Sequence, residues 1–171
     1  MRSGRALHLP LMLLLVADAA PQQQRLAVVT ANDNRTPAGT LRDGVLTLSL
    51  DATLAMWHPD GDSLPGLPVE AFAEAGRRPI APGPLIRVPA GTEIRASVRN
   101  SLERDTLTFF VPARIADAAK GGALDSVVLR PGEVRELRVR AERPGNYLYH
   151  ANARTSLDRV LRMRGLLAGA V

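Results

Sequence analysis

The stretch PGPLIRVPAGTEIRASVRNSL occupies residues 82–102 and joins two proline- and glycine-containing turns to an alternating segment. From Thr92 to Asn100, the apolar residues Ile94, Ala96 and Val98 alternate with polar or charged ones. A period of two is typical of a β-strand with one face in the core and the other in water. The prolines and glycines that precede it indicate tight turns. The stretch therefore predicts a half-buried strand over residues 92–100.

The same period of two recurs on both sides of this strand. Residues 45–50 place leucines at every second position, and residues 135–141 alternate Leu137, Val139 and Ala141 with charged side chains. Shorter strand candidates are Leu85–Val88, Thr106–Val111, Ser126–Leu129 and Tyr147–His150. Pro-Gly pairs separate several of these segments and would break long helices. The predicted fold class is all-β, an antiparallel sandwich or barrel.

Two segments depart from the alternating pattern. Residues 60–68 are rich in glycine and proline, which predicts a loop or a long crossover between strands. Ile115–Ala123 is compatible with a short helix or an irregular connection that ends at Gly121-Gly122. We find no internal repeat, and a single domain from residue 25 to residue 171 is the simplest organisation.

The composition excludes several classes of site. The 171 residues include no cysteine and three histidines, so disulfides, thiolate zinc sites, iron–sulfur clusters, cysteine nucleophiles and blue-copper centres are excluded. The formal charge of +5 comes from 22 basic and 17 acidic residues, and only six residues are aromatic. A nucleic-acid-binding surface usually combines a basic stripe with interleaved aromatics, so no nucleic-acid partner is expected.

The N-terminus has the pattern of a secretion signal. Arg2 and Arg5 precede an apolar run over residues 7–16, and small residues follow at positions 17–20. The run is about half the roughly 20 residues that a membrane-spanning helix needs, so no membrane span is predicted. The alternatives are a buried helix or a misassigned start codon. We expect residues 1–20 to be a signal peptide and the protein to be exported, to the periplasm or the extracellular space.

Two histidines remain outside the signal segment. His58 lies in the sequence Trp57-His58-Pro59, at a predicted strand end, where a histidine is usually a surface residue. His150 closes the segment PGNYLYH of residues 144–150, and alternation places it with Leu148 on one face of a strand. Imidazole is a common ligand for copper, and a half-buried structural histidine is the alternative.

Two blocks of the sequence resemble a known family. Residues 82–95 (PGPLIRVPAGTEIR) and 98–102 (VRNSL) resemble the opening of the first plastocyanin-like domain of multicopper oxidases. Residues 130–133 (RPGE) and 144–150 (PGNYLYH) resemble its closing half, in the family's order and spacing. The resemblance covers residues 40–171. It implies a cupredoxin-like Greek-key β-sandwich or barrel, with copper as the cofactor and oxygen as the electron acceptor in complete relatives.

The resemblance also implies a set of metal ligands, and this sequence departs from it. In the family, the first domain supplies two His-x-His pairs to a three-copper cluster between the first and last domains. The first pair would fall within Thr106–Val111, which contains no histidine, and the second would be His150 and residue 152, which is Asn152. His150 is thus the candidate metal ligand, and Asn152 occupies the position of a lost one. We predict no catalytic residue and expect no complete copper site in this chain alone.

The last seven residues resemble the start of the domain's last strand. Residues 165–171 read GLLAGAV, and the sequence stops inside that strand. A strand cut short would leave unpaired backbone groups and an apolar edge. The expected partners are therefore further cupredoxin domains, or another chain that completes the strand.

Three functions are compatible with the sequence. The first is the N-terminal cupredoxin domain of a multicopper-oxidase-like protein, which contributes to oxidation only together with further domains. The second is a metal-free β-sandwich that serves as a binding or scaffold module of an exported assembly. The third is an independent enzyme.

Overall fold

The computed structural model describes residues 25–112, 124–153 and 165–171, which form twelve β-strands and no helix. The predicted signal peptide and the segment Ile115–Ala123 lie outside the described residues. Within them, no helix has the length and apolar character needed to cross a membrane. In chain order the strands are β1 (Thr30–Ala31), β2 (Thr40–Arg42), β3 (Val45–Trp57), β4 (Leu67–Glu74), β5 (Ile80–Ala81), β6 (Thr92–Asn100), β7 (Leu107–Pro112), β8 (Leu124–Leu129), β9 (Val134–Ala141), β10 (Leu148–Ala153), β11 (Gly165–Leu166) and β12 (Ala168–Ala170).

The strands form two sheets that pack face to face around one main core. The larger sheet has the order β1-β5-β4-β3-β6-β9, with β2 added to β3 and β11 added to β4. The smaller sheet has the order β12-β10-β7-β8. Both sheets contribute buried residues to the same hydrophobic cluster, as expected for a β-sandwich. The all-β prediction is therefore confirmed.

The predicted alternation is confirmed where one face of a strand is buried. Strand β6 spans the predicted residues 92–100, and its Ile94 and Val98 side chains are buried. Strand β3 buries the leucines at 46, 48 and 50, as predicted, but continues to Trp57. The predicted loop at 60–68 is the connection of the β3–β4 hairpin, and β4 begins at Leu67.

The larger sheet is mixed, whereas the alternating pattern had indicated antiparallel strands. Strand β3 pairs antiparallel with β4 and parallel with β6. After β5, the segment 82–91 crosses from one side of β3 to the other, so β6 enters the sheet in the same direction as β3. Along this path Gly83 and Ile86 donate backbone hydrogen bonds to β12, at 2.6 and 2.9 Å, in the smaller sheet.

The strand predicted at Leu85–Val88 is also absent. Leu85 forms a single isolated bridge with Pro37, and the residues around it are irregular. Pro82, Pro84 and Pro89 have no backbone N–H and cannot donate to a ladder, which explains the interruption. The segment is still buried at Leu85 and Ile86, where it crosses between the sheets.

Three aromatic rings fill the centre of the sandwich. Phe72 from β4 meets Phe109 from β7 edge to face, with a centroid distance of 5.8 Å, and both contact the ring of Tyr149 from β10. The Tyr149 hydroxyl donates a buried hydrogen bond of 2.7 Å to the Pro84 carbonyl oxygen. Burial raises the pKa of Tyr149 well above its ordinary value, so the phenol remains a neutral donor.

The residues at 165–171 connect the two sheets. Strand β11 pairs with β4, β12 pairs with β10, and Leu167 between them is buried. Strand β12 is three residues long, but its second edge accepts the hydrogen bonds from Gly83 and Ile86 described above. The open apolar edge expected from the sequence is therefore not found at this strand, because the crossing segment covers it.

Candidate functional site

The candidate ligand His150 lies on β10, directly beside β7 in the smaller sheet. The register pairs His150 with Phe110 and Asn152 with Thr108. Because side chains alternate along a strand, these four residues share the outward face of the sheet. The residues that alternate with them along the two strands, Phe109, Tyr149 and Ala151, are buried in the core.

The His150 imidazole stacks on a neighbouring ring instead of facing a cluster of ligands. Its ring is nearly parallel to that of Phe110, with a centroid distance of 4.7 Å and an angle of 11° between the planes. His150 is half-buried, and no hydrogen bond holds either ring nitrogen within the part of the chain that the structure describes. The stack therefore places the imidazole against the Phe110 ring on the outward face of the sheet.

Asn152 lies two residues further along β10 and is exposed, and its cross-strand neighbour Thr108 is half-buried. The face therefore presents one imidazole, one amide, one hydroxyl and one phenyl ring. Copper in proteins is bound mainly by imidazole and sulfur ligands, and among these four side chains only that of His150 is of either kind. Across residues 25–112, 124–153 and 165–171, no three or more His, Cys, Asp or Glu residues come together in a metal-binding group.

The surroundings of this face are apolar. Val128 of β8 pairs with Thr108, and Ser126 pairs with Phe110, so both lie on the same outward side. Val128 and Leu148 are each 56% exposed, which is high for large apolar side chains. We call the residues Thr108, Phe110, Ser126, Val128, Leu148, His150 and Asn152 the outer face. It is a mixed surface on which apolar side chains surround a single histidine.

A cavity lies away from this face. It has a volume of about 600 Å³ and lies between the β3–β4 hairpin and the loop at 101–105. Leu54, Leu102 and the carboxylates of Glu70 and Asp105 are among its lining residues. Both carboxylates already have interaction partners. Neither His150 nor Asn152 lines it, so the cavity and the predicted site residues are separate features.

The motif at residues 144–152 identifies His150 and Asn152, whereas the sequence alone leaves the position of the first ligand pair open within Thr106–Val111. The register selects Thr108 and Phe110, because they are the residues that face the same side as His150 and Asn152. An i, i+2 pair on each of two neighbouring strands is the geometry that two His-x-His motifs would produce. No local signal could have made this selection, because it depends on pairing between segments about 40 residues apart.

Comparisons with known proteins give matches at the level of structure. No family model matches the sequence, and no curated protein matches it. A multicopper oxidase from Campylobacter jejuni, described as a metallo-oxidase, superposes with a TM-score of 0.50 and 19% identity over 85% of this chain. A laccase from Pediococcus acidilactici superposes with a TM-score of 0.52 and 17% identity over 90% of this chain.

In each case the matched part is a fraction of the larger protein. The chain spans 29% of the Campylobacter enzyme and 30% of the Pediococcus enzyme. Identity at this level establishes similarity of fold alone. The described chain therefore has the fold of a single cupredoxin-like domain of the multicopper oxidases.

Proposed function

We propose that this chain is an exported cupredoxin domain equivalent to the first domain of a multicopper oxidase, and that it lacks a complete copper site of its own. The observation that carries the proposal is the register of β7 and β10. It gathers Thr108, Phe110, His150 and Asn152 on one face, at the spacing of two His-x-His pairs. The resemblance at residues 82–102 and 130–150 supports the same assignment.

The chemistry of these four side chains supports the loss of copper. Phe110 occupies a ligand position and stacks on the one remaining imidazole, so an apolar contact stands where a metal would need a donor. The Thr108 hydroxyl and the Asn152 amide are weak ligands for copper. We propose that the domain contributes structure instead of electron transfer, and we assign it no catalytic residue.

The partner we propose is a further cupredoxin domain that packs on the outer face. This is supported by the exposed side chains of Val128 and Leu148 and by the partly exposed Phe110 ring. Removing such apolar surface from water lowers the free energy, so another domain that covers it would be stabilised there. Any oxidation of substrate would belong to that larger assembly.

A copper titration tests the assignment of the four positions. All variants carry His58→Gln, so that His150 is the only imidazole among the described residues. In this background, we expect Cu(II) to bind weakly and equally with and without His150→Ala. Adding Asn152→His restores one His-x-His pair at an exposed position and should tighten Cu(II) binding at least about tenfold. Isothermal titration calorimetry measures each affinity.

A larger gain is expected from Thr108→His, Phe110→His and Asn152→His combined, because four imidazoles would then share one face. Circular dichroism verifies that each variant retains its β-structure. Tight Cu(II) binding that is lost in His150→Ala without any added histidine would overturn the proposed loss of copper. If Asn152→His leaves the affinity unchanged, the assignment of the ligand positions is wrong.

The proposed export has a separate test. Residues 1–24 fused to a reporter enzyme that is active only after export should give reporter activity outside the cytoplasm. Leu14→Arg interrupts the apolar run over residues 7–16, so the same fusion with this substitution should remain inside. Equal distribution of the two fusions would contradict a signal peptide.

A further inference from the structure

We propose that Met56 and His58 form a binding site for a single Cu(I) ion at the end of strand β3. This site is separate from the outer face and from the proposed multicopper oxidase role. Strand β3 ends at Trp57, and His58 follows it directly. Alternation places Met56 and His58 on one side of the chain and Trp57 on the other. Both candidate ligands are partly exposed, so an ion can reach them.

Gly66 shows that the two side chains lie next to each other. A Cβ atom at Gly66 would lie 2.7 Å from the Met56 sulfur and 2.8 Å from Cε1 of His58. Both distances are too short for a real Cβ atom, so any larger residue at 66 would displace one of the side chains. Gly66 is not among the glycines with a positive φ, so its backbone conformation does not require glycine. The absence of a side chain at 66 lets the thioether and the imidazole both lie against this position.

The His58 ring is held in the orientation that a metal ligand needs. Its Nδ1 atom lies 2.9 Å from the backbone carbonyl oxygen of Leu64. A carbonyl oxygen only accepts hydrogen bonds, so Nδ1 carries the proton, and in the neutral ring Nε2 keeps a free lone pair. Nε2 is bonded to Cε1, the atom that lies near Gly66 and the Met56 side chain. In metal-binding histidines, the N–H of the ring nitrogen that does not bind the metal typically donates a hydrogen bond to a carbonyl or carboxylate in this way.

The donor chemistry selects the ion. A thioether and a neutral imidazole are uncharged, and the thioether is a soft ligand, which favours Cu(I) over hard divalent cations. Two ligands are a small set, but Cu(I) accepts low coordination numbers better than Zn²⁺, which usually takes four ligands. The ion would lie where the connection at 58–66 joins β3 to β4.

The protein contains its own reporter for this site. Trp57 is the only tryptophan in the sequence and lies between the two ligands in the chain. Its ring packs against the small cluster that includes Val29 and Ala55, on the other side of the strand. A heavy ion bound by its two neighbours should quench its fluorescence, while an ion bound at the outer face should not.

The test is an anaerobic titration of the full chain with Cu(I), buffered by a competing chelator, and with Ag(I) as a redox-inert substitute. We expect one ion per chain, a Kd below about 10 µM, and quenching of Trp57 fluorescence. Met56→Leu and His58→Gln should each weaken binding at least about tenfold, and Gly66→Ala should do the same by separating the ligands. His150→Ala is the matched control and should bind like the original protein.

A second measurement keeps the result independent of folding. With ¹³C-methyl-labelled methionine, Ag(I) should shift the Met56 methyl resonance, which Met56→Leu identifies. Circular dichroism shows whether each variant is folded. The proposal is overturned if the original protein binds no ion in this range, or if folded Met56→Leu and His58→Gln variants bind as tightly as it does.

Discussion

Gly169→Ala is expected to lower the free energy of unfolding by about 3 kcal/mol, at the upper end of the range for overpacking a core. A Cβ atom at position 169 would overlap the ring of Tyr149 at Cζ and Oη. That ring is fully buried and packs on Phe72 and Phe109. Its hydroxyl donates a hydrogen bond to the Pro84 carbonyl oxygen. It therefore has no direction in which to move without losing contacts. Chemical denaturation followed by circular dichroism measures the change.

A double-mutant cycle identifies the cause of this effect. Tyr149→Leu keeps apolar bulk but removes the far end of the ring, so alone it should cost about 2 to 4 kcal/mol through the cavity and the lost hydrogen bond. In that background Gly169→Ala should cost less than about 1 kcal/mol, because the atoms that it overlaps are gone. Equal costs of Gly169→Ala in both backgrounds would show that the penalty comes from the backbone of β12 and not from Tyr149.

The local pattern predicted the strands and their buried faces, because a period of two needs no knowledge of distant residues. Strand β6 and the leucines of β3 are examples. The parallel pairing of β3 with β6 was not predictable in this way, since it depends on how the segment 82–91 crosses the sandwich. At Leu85–Val88, the apolar pattern indicated a strand, but neighbouring prolines removed the donors that a ladder requires.

In the candidate sites, too, some residues could be found from the local sequence and others only from long-range strand pairing. His150 and Asn152 were found from a motif, whereas their neighbours Thr108 and Phe110 follow only from the register of two strands. His58 was interpreted as a surface residue because it lies at a strand end beside proline. The Met-x-His spacing was present in the sequence, but its meaning depends on Gly66, which the β3–β4 hairpin brings beside both side chains.

Asn100 is the second position where a large effect is expected, because its side chain joins the two sheets. It ends β6 in the larger sheet and is fully buried. Its Nδ2 donates to the carbonyl oxygens of Asp105, at 2.8 Å, and of Leu129, at 3.0 Å, the last residue of β8 in the smaller sheet. Its Oδ1 accepts a hydrogen bond of 3.1 Å from the N–H of Leu102. One amide thus satisfies three backbone groups at the corner of the sandwich.

Asn100→Leu should therefore lower the free energy of unfolding by about 3 to 4 kcal/mol at every pH. The leucine is similar in size, but it leaves two carbonyl oxygens and one N–H without their partner, and each such buried group costs about 1 to 3 kcal/mol. The separate contributions are not fully additive, since the loop at 101–105 can relax toward solvent. Denaturation of the original protein and of Asn100→Leu measures the difference.

Asn100→Asp should be destabilising in a pH-dependent way. The carboxylate has the shape of the amide, but its second oxygen would face the carbonyl oxygens of Asp105 and Leu129 and repel them. The folded state therefore favours the protonated acid, which raises the pKa of the new carboxyl above its value in the unfolded chain. Because the folded state then holds the proton more tightly, the free energy of unfolding of the variant falls, relative to the original protein, as the pH rises through that pKa.

The comparison is made by denaturation at about pH 4.5 and about pH 7.5, on either side of the range in which a buried carboxyl with a raised pKa titrates. Asn146→Asp is the matched control, because Asn146 is exposed and the new charge there would be solvated. We expect Asn100→Asp to lose at least about 1.4 kcal/mol more at the higher pH than at the lower one, which corresponds to one pKa unit. A deficit that is equal at both pH values, or one that Asn146→Asp reproduces, would show that the Asn100 amide donates no essential hydrogen bonds between the two sheets.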